Sequence, residues 1–313
     1  MRLAICNELF EGWPLAEAFA FAAEVGYEAV EIAPFTLGGA PGELPGSRRA
    51  QIRDLAAAHG LGITGLHWLL AGTHGVHAAA ADPEVSRRTL AYLRDLTRLC
   101  ADLGGRVLVF GSPDQRSTPA GMAPAEARQR TAGTLRAWSG AAEDCGVTIC
   151  LEALPPAETD QITTTAEAVA VVEEIGSPAV RLVLDVKSMS SEDTPVEEQI
   201  AQAAPYLAYV QVNDASRRGP GLGGTDFVPI LRALARVGYG GDVSVEALDR
   251  GPDPVTVART GYATLRAALG ELGLPGGRHP AARSGSPDGS SLPGGSRLPG
   301  GSCLPGGSRP PAS

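Results

Sequence analysis

Short apolar runs and longer amphipathic stretches alternate along most of this chain. Eight runs read as β-strands: 3–6 (LAIC), 28–33 (EAVEIA), 62–67 (GITGLH), 106–111 (RVLVFG), 147–152 (VTICLE), 180–185 (VRLVLD), 207–212 (LAYVQV) and 242–246 (DVSVE). Helical patterns lie between them, among them 14–26, 47–60, 83–104 and 164–176. Most of these close on Gly, which accepts the left-handed backbone a helix needs just past its end. Strands alternating with helices imply a parallel sheet, and eight such units close a barrel. The expected fold class is therefore α/β, a single-domain (β/α)8 barrel of TIM type over residues 1–273. A doubly wound open sheet is the structural alternative, but it would not gather the ends of strands five to eight around one site as readily.

The pattern stops near residue 274. Residues 274–313 are almost entirely Pro, Gly, Ser and Arg, with three near-identical hexapeptides starting at Leu292, Leu298 and Leu304. So few apolar side chains cannot offset the entropy of ordering, which predicts a disordered tail. That tail holds four arginines against one aspartate, so the rest of the chain carries a net charge near −12 out of a total of −9. Such acidity argues against a nucleic-acid partner, whose phosphates need Lys and Arg in excess. No run approaches the length of a membrane span and no apolar leader follows Met1, so neither membrane insertion nor export is expected. The five cysteines are scattered, odd in number and free of CxxC pairs, as in a reduced cytoplasmic protein.

Chemistry concentrates at the strand ends. Glu152, Asp185, Gln211 and Glu246 close four successive strands and lie 33, 26 and 35 residues apart, close to the length of one βα unit. A barrel of this type builds its active site at the carboxyl ends of its strands. Three carboxylates packed together would repel one another, so a divalent cation is the simplest way to neutralise them.

Glu152, Asp185 and Glu246, together with the ETD run at Glu158–Asp160 and an Arg at 217, resemble the sugar isomerase and epimerase family of xylose-isomerase-like barrels. The nearest group is the ketose 3-epimerases of tagatose and psicose type. The resemblance implies that Glu152, Asp185, the residue at 211 and Glu246 bind one divalent metal. It also implies that Glu152 and Glu246 are the catalytic acid/base pair, and that Glu158 and Arg217 contact substrate. Two positions depart from the family pattern. Gln211 stands where the family has a His ligand, and Ser188 where the epimerases have a substrate-binding His. A Gln carbonyl oxygen still coordinates, and the resulting all-oxygen set suits Mn²⁺ or Mg²⁺ better than Zn²⁺.

Lys187 is the only lysine, against 25 arginines. Continuing the strand alternation from Asp185 would point it into the mouth, where a small or movable ammonium is useful; a plain ion pair with Glu158 is the alternative. His67 and Trp68 end the third run, one as a lining side chain and the other as a face for a sugar ring. Asn213, two residues after Gln211, and Glu8, just past the first strand, are placed to bind hydroxyls. His74 and His77 fall in the next loop with no metal-ligand partners, and the Gly-rich 217–224 stretch reads as a substrate loop.

These expectations describe a metal-dependent isomerase or epimerase of a ketose or related sugar. One Glu removes a proton beside a carbonyl, and the other returns it to the opposite face or to the neighbouring carbon. A lyase or dehydratase acting on an oxidised sugar or inositol would use the same first step. A sugar-binding subunit with a degenerate site, from a different class, would show no metal-dependent chemistry. An endonuclease on this barrel would need a His-rich multi-metal site, which five scattered histidines do not supply. The expected partner is a small sugar, with homo-oligomerisation left open.

Overall fold

The computed structural model describes residues 1–274, so the predicted tail lies outside the described residues, save Leu274. Eight parallel strands form one closed barrel, each bonded to its neighbours in chain order and β1 closing on β8. They are β1 (Arg2–Cys6), β2 (Ala29–Ile32), β3 (Gly62–Leu66), β4 (Val107–Phe110), β5 (Thr148–Glu152), β6 (Val180–Asp185), β7 (Leu207–Val212) and β8 (Asp242–Val245). The helices are α1 (Leu15–Val25), α2 (Gly46–Ala58), α3 (Pro83–Asp102), α4 (Pro124–Cys145), α5 (Thr165–Ile175), α6 (Val186–Met189), α7 (Val196–Ala203), α8 (Phe227–Arg236) and α9 (Pro254–Glu271). The α/β barrel expected from the alternation is the fold observed.

Local sequence explains the helix boundaries. The Asp82 side chain accepts the Glu84 N–H at the start of α3, with Pro83 in the first turn, where its missing N–H costs nothing. Gly26 and Gly176 end α1 and α5 in left-handed conformation. Along α3, Leu93, Leu96, Leu99 and Cys100 recur at helical spacing and are buried, each leucine contributing about 1.5–3 kcal/mol by leaving water. The Trp138 indole of α4 donates to Thr97 Oγ1 at 2.7 Å and ties the two helices together. No described helix is long and apolar enough to cross a membrane.

A second, smaller cluster fills the barrel interior. Val107, Val109, Cys150, Val183 and Tyr209 pack together there, apart from the main core. Strand residues two apart share a face. Glu152 follows Cys150, Asp185 follows Val183 and Gln211 follows Tyr209 by two positions, so each points inward, one step nearer the carboxyl end.

Candidate active site

Register brings the predicted residues together. Asp185 pairs with Gln211 across β6 and β7, and Gln211 with Ser244 across β7 and β8, two residues before Glu246. A cavity of about 300 Å³ opens at this end of the barrel. Glu152, Glu246, His67, Trp68, Glu158, Lys187 and Arg217 all line it. Asp185, Gln211, Ser188 and Asn213 are buried and do not line it.

Ser188 and Asn213 contact the carboxylates instead. The Ser188 N–H donates to Asp185 Oδ1 at 2.9 Å and Asn213 Nδ2 to Asp185 Oδ2 at 2.7 Å. Ser188 Oγ lies 3.4 Å from Glu152 Oε1, and Asn213 Oδ1 accepts the Lys187 backbone N–H at 2.8 Å. One oxygen of Asp185 thus caps the single-turn helix α6.

That helix changes the reason for the placement of Lys187. The strand ends at Asp185, so Lys187 reaches the cavity from a helical turn and not by strand alternation. Its Nζ is 2.8 Å from Glu158 Oε1, and the side chain is 8% exposed. Burial pushes the ammonium down, but Asp185, Glu152 and Glu158 more than reverse this, so its pKa is raised. These acids favour the charged ammonium over the neutral amine.

The carboxyl groups show the opposite shift. Burial, then the charge of Glu246, pushes Asp185 up to about 6, and burial pushes Glu246 up to about 7. Glu152 and Glu8 are raised well above the ordinary range, first by burial and then by Asp185 and Glu246 respectively. A carboxyl raised on folding stabilises the fold below its unfolded value, and that contribution is lost as pH rises through the folded value. The melting temperature of metal-free protein should therefore fall between about pH 5 and about pH 8, and added Mn²⁺ should remove the fall. Melting curves at several pH values, with and without the ion, check this.

His67 is buried between two acids, with Nδ1 3.4 Å from Glu246 Oε1 and Nε2 3.7 Å from Glu8 Oε2. Burial pushes the imidazole down, so the neutral ring can donate to only one of them. Away from the site, His77 Nδ1 accepts the Ala79 N–H, so this histidine braces its own loop. His74 lines a separate surface cavity with Phe35 and Tyr92.

Four contributors were missed in the sequence. Glu31, on β2, is 1% exposed and accepts from Cys6 Sγ at 3.0 Å and from Gln211 Nε2 at 3.3 Å. A lone charge within an apolar strand was the signal for it. Arg116 is fully buried, donates to the backbone oxygen of Glu152 at 2.6 Å, and is lowered to about 10 by burial. Gly111 lies so close to Glu152 that a Cβ there would collide with Oε2. Ser112 lines the cavity with its Oγ buried and unpartnered. Trp68, Ser112 and Arg217, with φ of 52°, 49° and 73°, also hold left-handed backbone, which costs about 1–3 kcal/mol apiece and clusters at functional sites.

The predicted ligand set fits a hard divalent cation on two observations. Asp185 and Glu246 raise the pKa of Glu152 and Glu246 raises that of Asp185, and Gln211 Oε1 is buried with no hydrogen-bond partner. An unpaired buried carbonyl among repelling carboxylates is a donor set for a hard divalent cation. Among the described residues, the acidic, His and Cys groups whose ligand atoms lie within 4.8 Å of one another are Glu8, His67 and Glu246, and Cys6, Glu31 and His67; Glu152, Asp185 and Glu246 do not form such a group.

A closed parallel barrel with acids buried at the carboxyl ends of its strands defines the class. The profile of the xylose isomerase-like TIM barrel family matches residues 19–268, and the chain belongs to that family. It is 31% identical over 238 residues to a D-psicose 3-epimerase of Ruminiclostridium cellulolyticum, covering 73% of this chain and 76% of that protein. An L-ribulose 3-epimerase of Mesorhizobium japonicum is 32% identical over 173 residues, 54% of this chain and 57% of the relative. Among solved structures, D-psicose 3-epimerase with D-tagatose from Clostridium cellulolyticum superposes with a TM-score of 0.75 at 21% identity, over 87% of this chain and 99% of that one. A 3-keto-D-glucoside 4-epimerase from E. coli gives 0.74 at 21% identity, over 85% and 99%. At these identities the structural likeness speaks for the fold.

Proposed function

We propose that this chain is an epimerase of a ketose or closely related oxo-sugar, assisted by a divalent cation, with Glu152 and Glu246 as the acid/base pair. The observation that carries the reading is that both carboxyl groups reach one cavity, where burial raises the pKa of each, that of Glu246 to about 7. A carboxyl near 7 can take or give a proton at physiological pH. Family membership and the sugar epimerases among the relatives support the reaction class.

The residues divide the work. Glu152, Asp185, Gln211 and Glu246 would hold the cation. When bound, it supplies positive charge at the substrate carbonyl and so acidifies the adjacent C–H. One of Glu152 and Glu246 removes that proton, and the other delivers a proton to the opposite face. Lys187, kept charged by Glu158 and its other acidic neighbours, sets a cation beside the oxygen that gains negative charge. Arg217 and Glu158, on the cavity wall, bind hydroxyls, while Trp68 offers a flat face to the carbon chain. Ser188 and Asn213 hold Asp185 in place.

A screen of ketoses and 3-oxo-sugars, with product analysis, tests the reading. The expected result is formation of an epimer with Mn²⁺ or Mg²⁺ present, lost on chelation and restored when the ion returns. A product carrying a new unsaturated chromophore would mean elimination instead. No turnover of any such sugar by ion-loaded protein would leave a binding subunit as the better account.

A further inference from the structure

We propose that Glu31 is a positioning residue, which locks the Gln211 side chain with its carbonyl oxygen directed at the cation. The inference rests on the cation reading above and adds a residue that no part of that reading uses. Glu31 is 1% exposed, and its carboxylate lies 3.3 Å from Gln211 Nε2 through each oxygen. A carboxylate only accepts hydrogen bonds, so it selects the amide –NH2 end of Gln211. The reversed amide would set Oε1 against the carboxylate, two acceptors with no proton between them.

With Nε2 held by Glu31, Oε1 must face the other way, and there it is buried without a partner. An unsatisfied buried carbonyl is destabilising, and a bound cation would offset that cost. Gln211 pairs in register with Asp185, so this oxygen is presented on the strand row that carries the acids. Glu31 is itself held by Cys6 Sγ at 3.0 Å on the neighbouring strand. The pair accounts for an amide at 211: one end donates to Glu31, and the other is left for a hard ion. Without Glu31, nothing among these contacts selects the carbonyl end of the amide for the cation.

The test is Mn²⁺ titration of metal-free full-length protein by calorimetry, with the melting temperature of the metal-free form measured alongside. Glu31→Gln is isosteric and neutral and can accept or donate, so Gln211 becomes free to flip. The expected result is an Mn²⁺ Kd weakened by about 10–100-fold, the loss typical of a group that orients a ligand, with little change in melting temperature. Glu31→Asp, which withdraws the charge by one carbon, should shift the Kd in the same direction by less. Adding Gln211→His to Glu31→Gln should restore most of the affinity, since an imidazole can ligate through one nitrogen and donate through the other to either side chain. A purely structural Glu31 would lower the melting temperature and would not be rescued. Unchanged Mn²⁺ affinity in Glu31→Gln, or no rescue by the second substitution, overturns the orienting role alone. Unmodified protein that takes up neither Mn²⁺ nor Mg²⁺ overturns the cation reading, and this inference with it.

Discussion

Glu152→Gln should lower turnover of the accepted sugar by about 10²–10⁴-fold, and Glu246→Gln should do the same. Each substitution preserves size and leaves a carbonyl oxygen for the cation, but an amide neither takes nor delivers the proton. The surroundings of Glu152 are fitted to the side chain already there. Gly111 makes room for Oε2, Ser188 Oγ sits 3.4 Å from Oε1, and Arg116 clasps the backbone oxygen. The fold should therefore survive, and calorimetric Mn²⁺ binding together with the melting temperature verifies that the loss is chemical. A variant that binds the ion and still turns over at more than about a tenth of the normal rate would remove that residue from the acid/base pair.

Lys187→Arg should cost more than about tenfold in turnover, or roughly 1.4 kcal/mol of transition-state stabilisation, with little effect on stability. Charge is retained, so an ion pair whose purpose is structural would tolerate the exchange. The geometry is tight, however. Lys187 is 8% exposed, sits in a four-residue helix directly after Asp185, and spans 2.8 Å to Glu158 Oε1. A planar guanidinium with its fork of donors does not fit the place of a compact ammonium. Steady-state kinetics and a melting curve on the one variant decide the matter, and near-normal turnover would reduce Lys187 to a structural partner of Glu158.

Much of the barrel is legible in the chain because each strand is a short apolar run set off by a helix. The run at 180–185 matches β6 at both ends, and 28–33 exceeds β2 by one residue on each side. Strand-end acids were visible for the same reason, since a polar residue closing an apolar run is conspicuous. Residues that depend on contacts across the barrel were not. Arg116 lies in a loop, and its burial beneath Glu152 follows from how β4 and β5 pack, which no local pattern encodes. Strand alternation misjudged how Lys187 reaches the cavity because Asp185 both ends its strand and caps the next helix. Asn213 looked like a hydroxyl binder from its facing alone, yet its amide is engaged by Asp185 and the Lys187 backbone.

Proton transfer at carbon is the central claim, and solvent isotope reads it directly. The accepted sugar, incubated with ion-loaded protein in D2O and examined by NMR and mass spectrometry, should gain deuterium at the carbon beside its carbonyl as the epimer forms. Epimer formed without solvent deuterium would mean a hydride shift or a fully shielded proton, and would contradict a mechanism in which Glu152 and Glu246 exchange protons with water between turnovers.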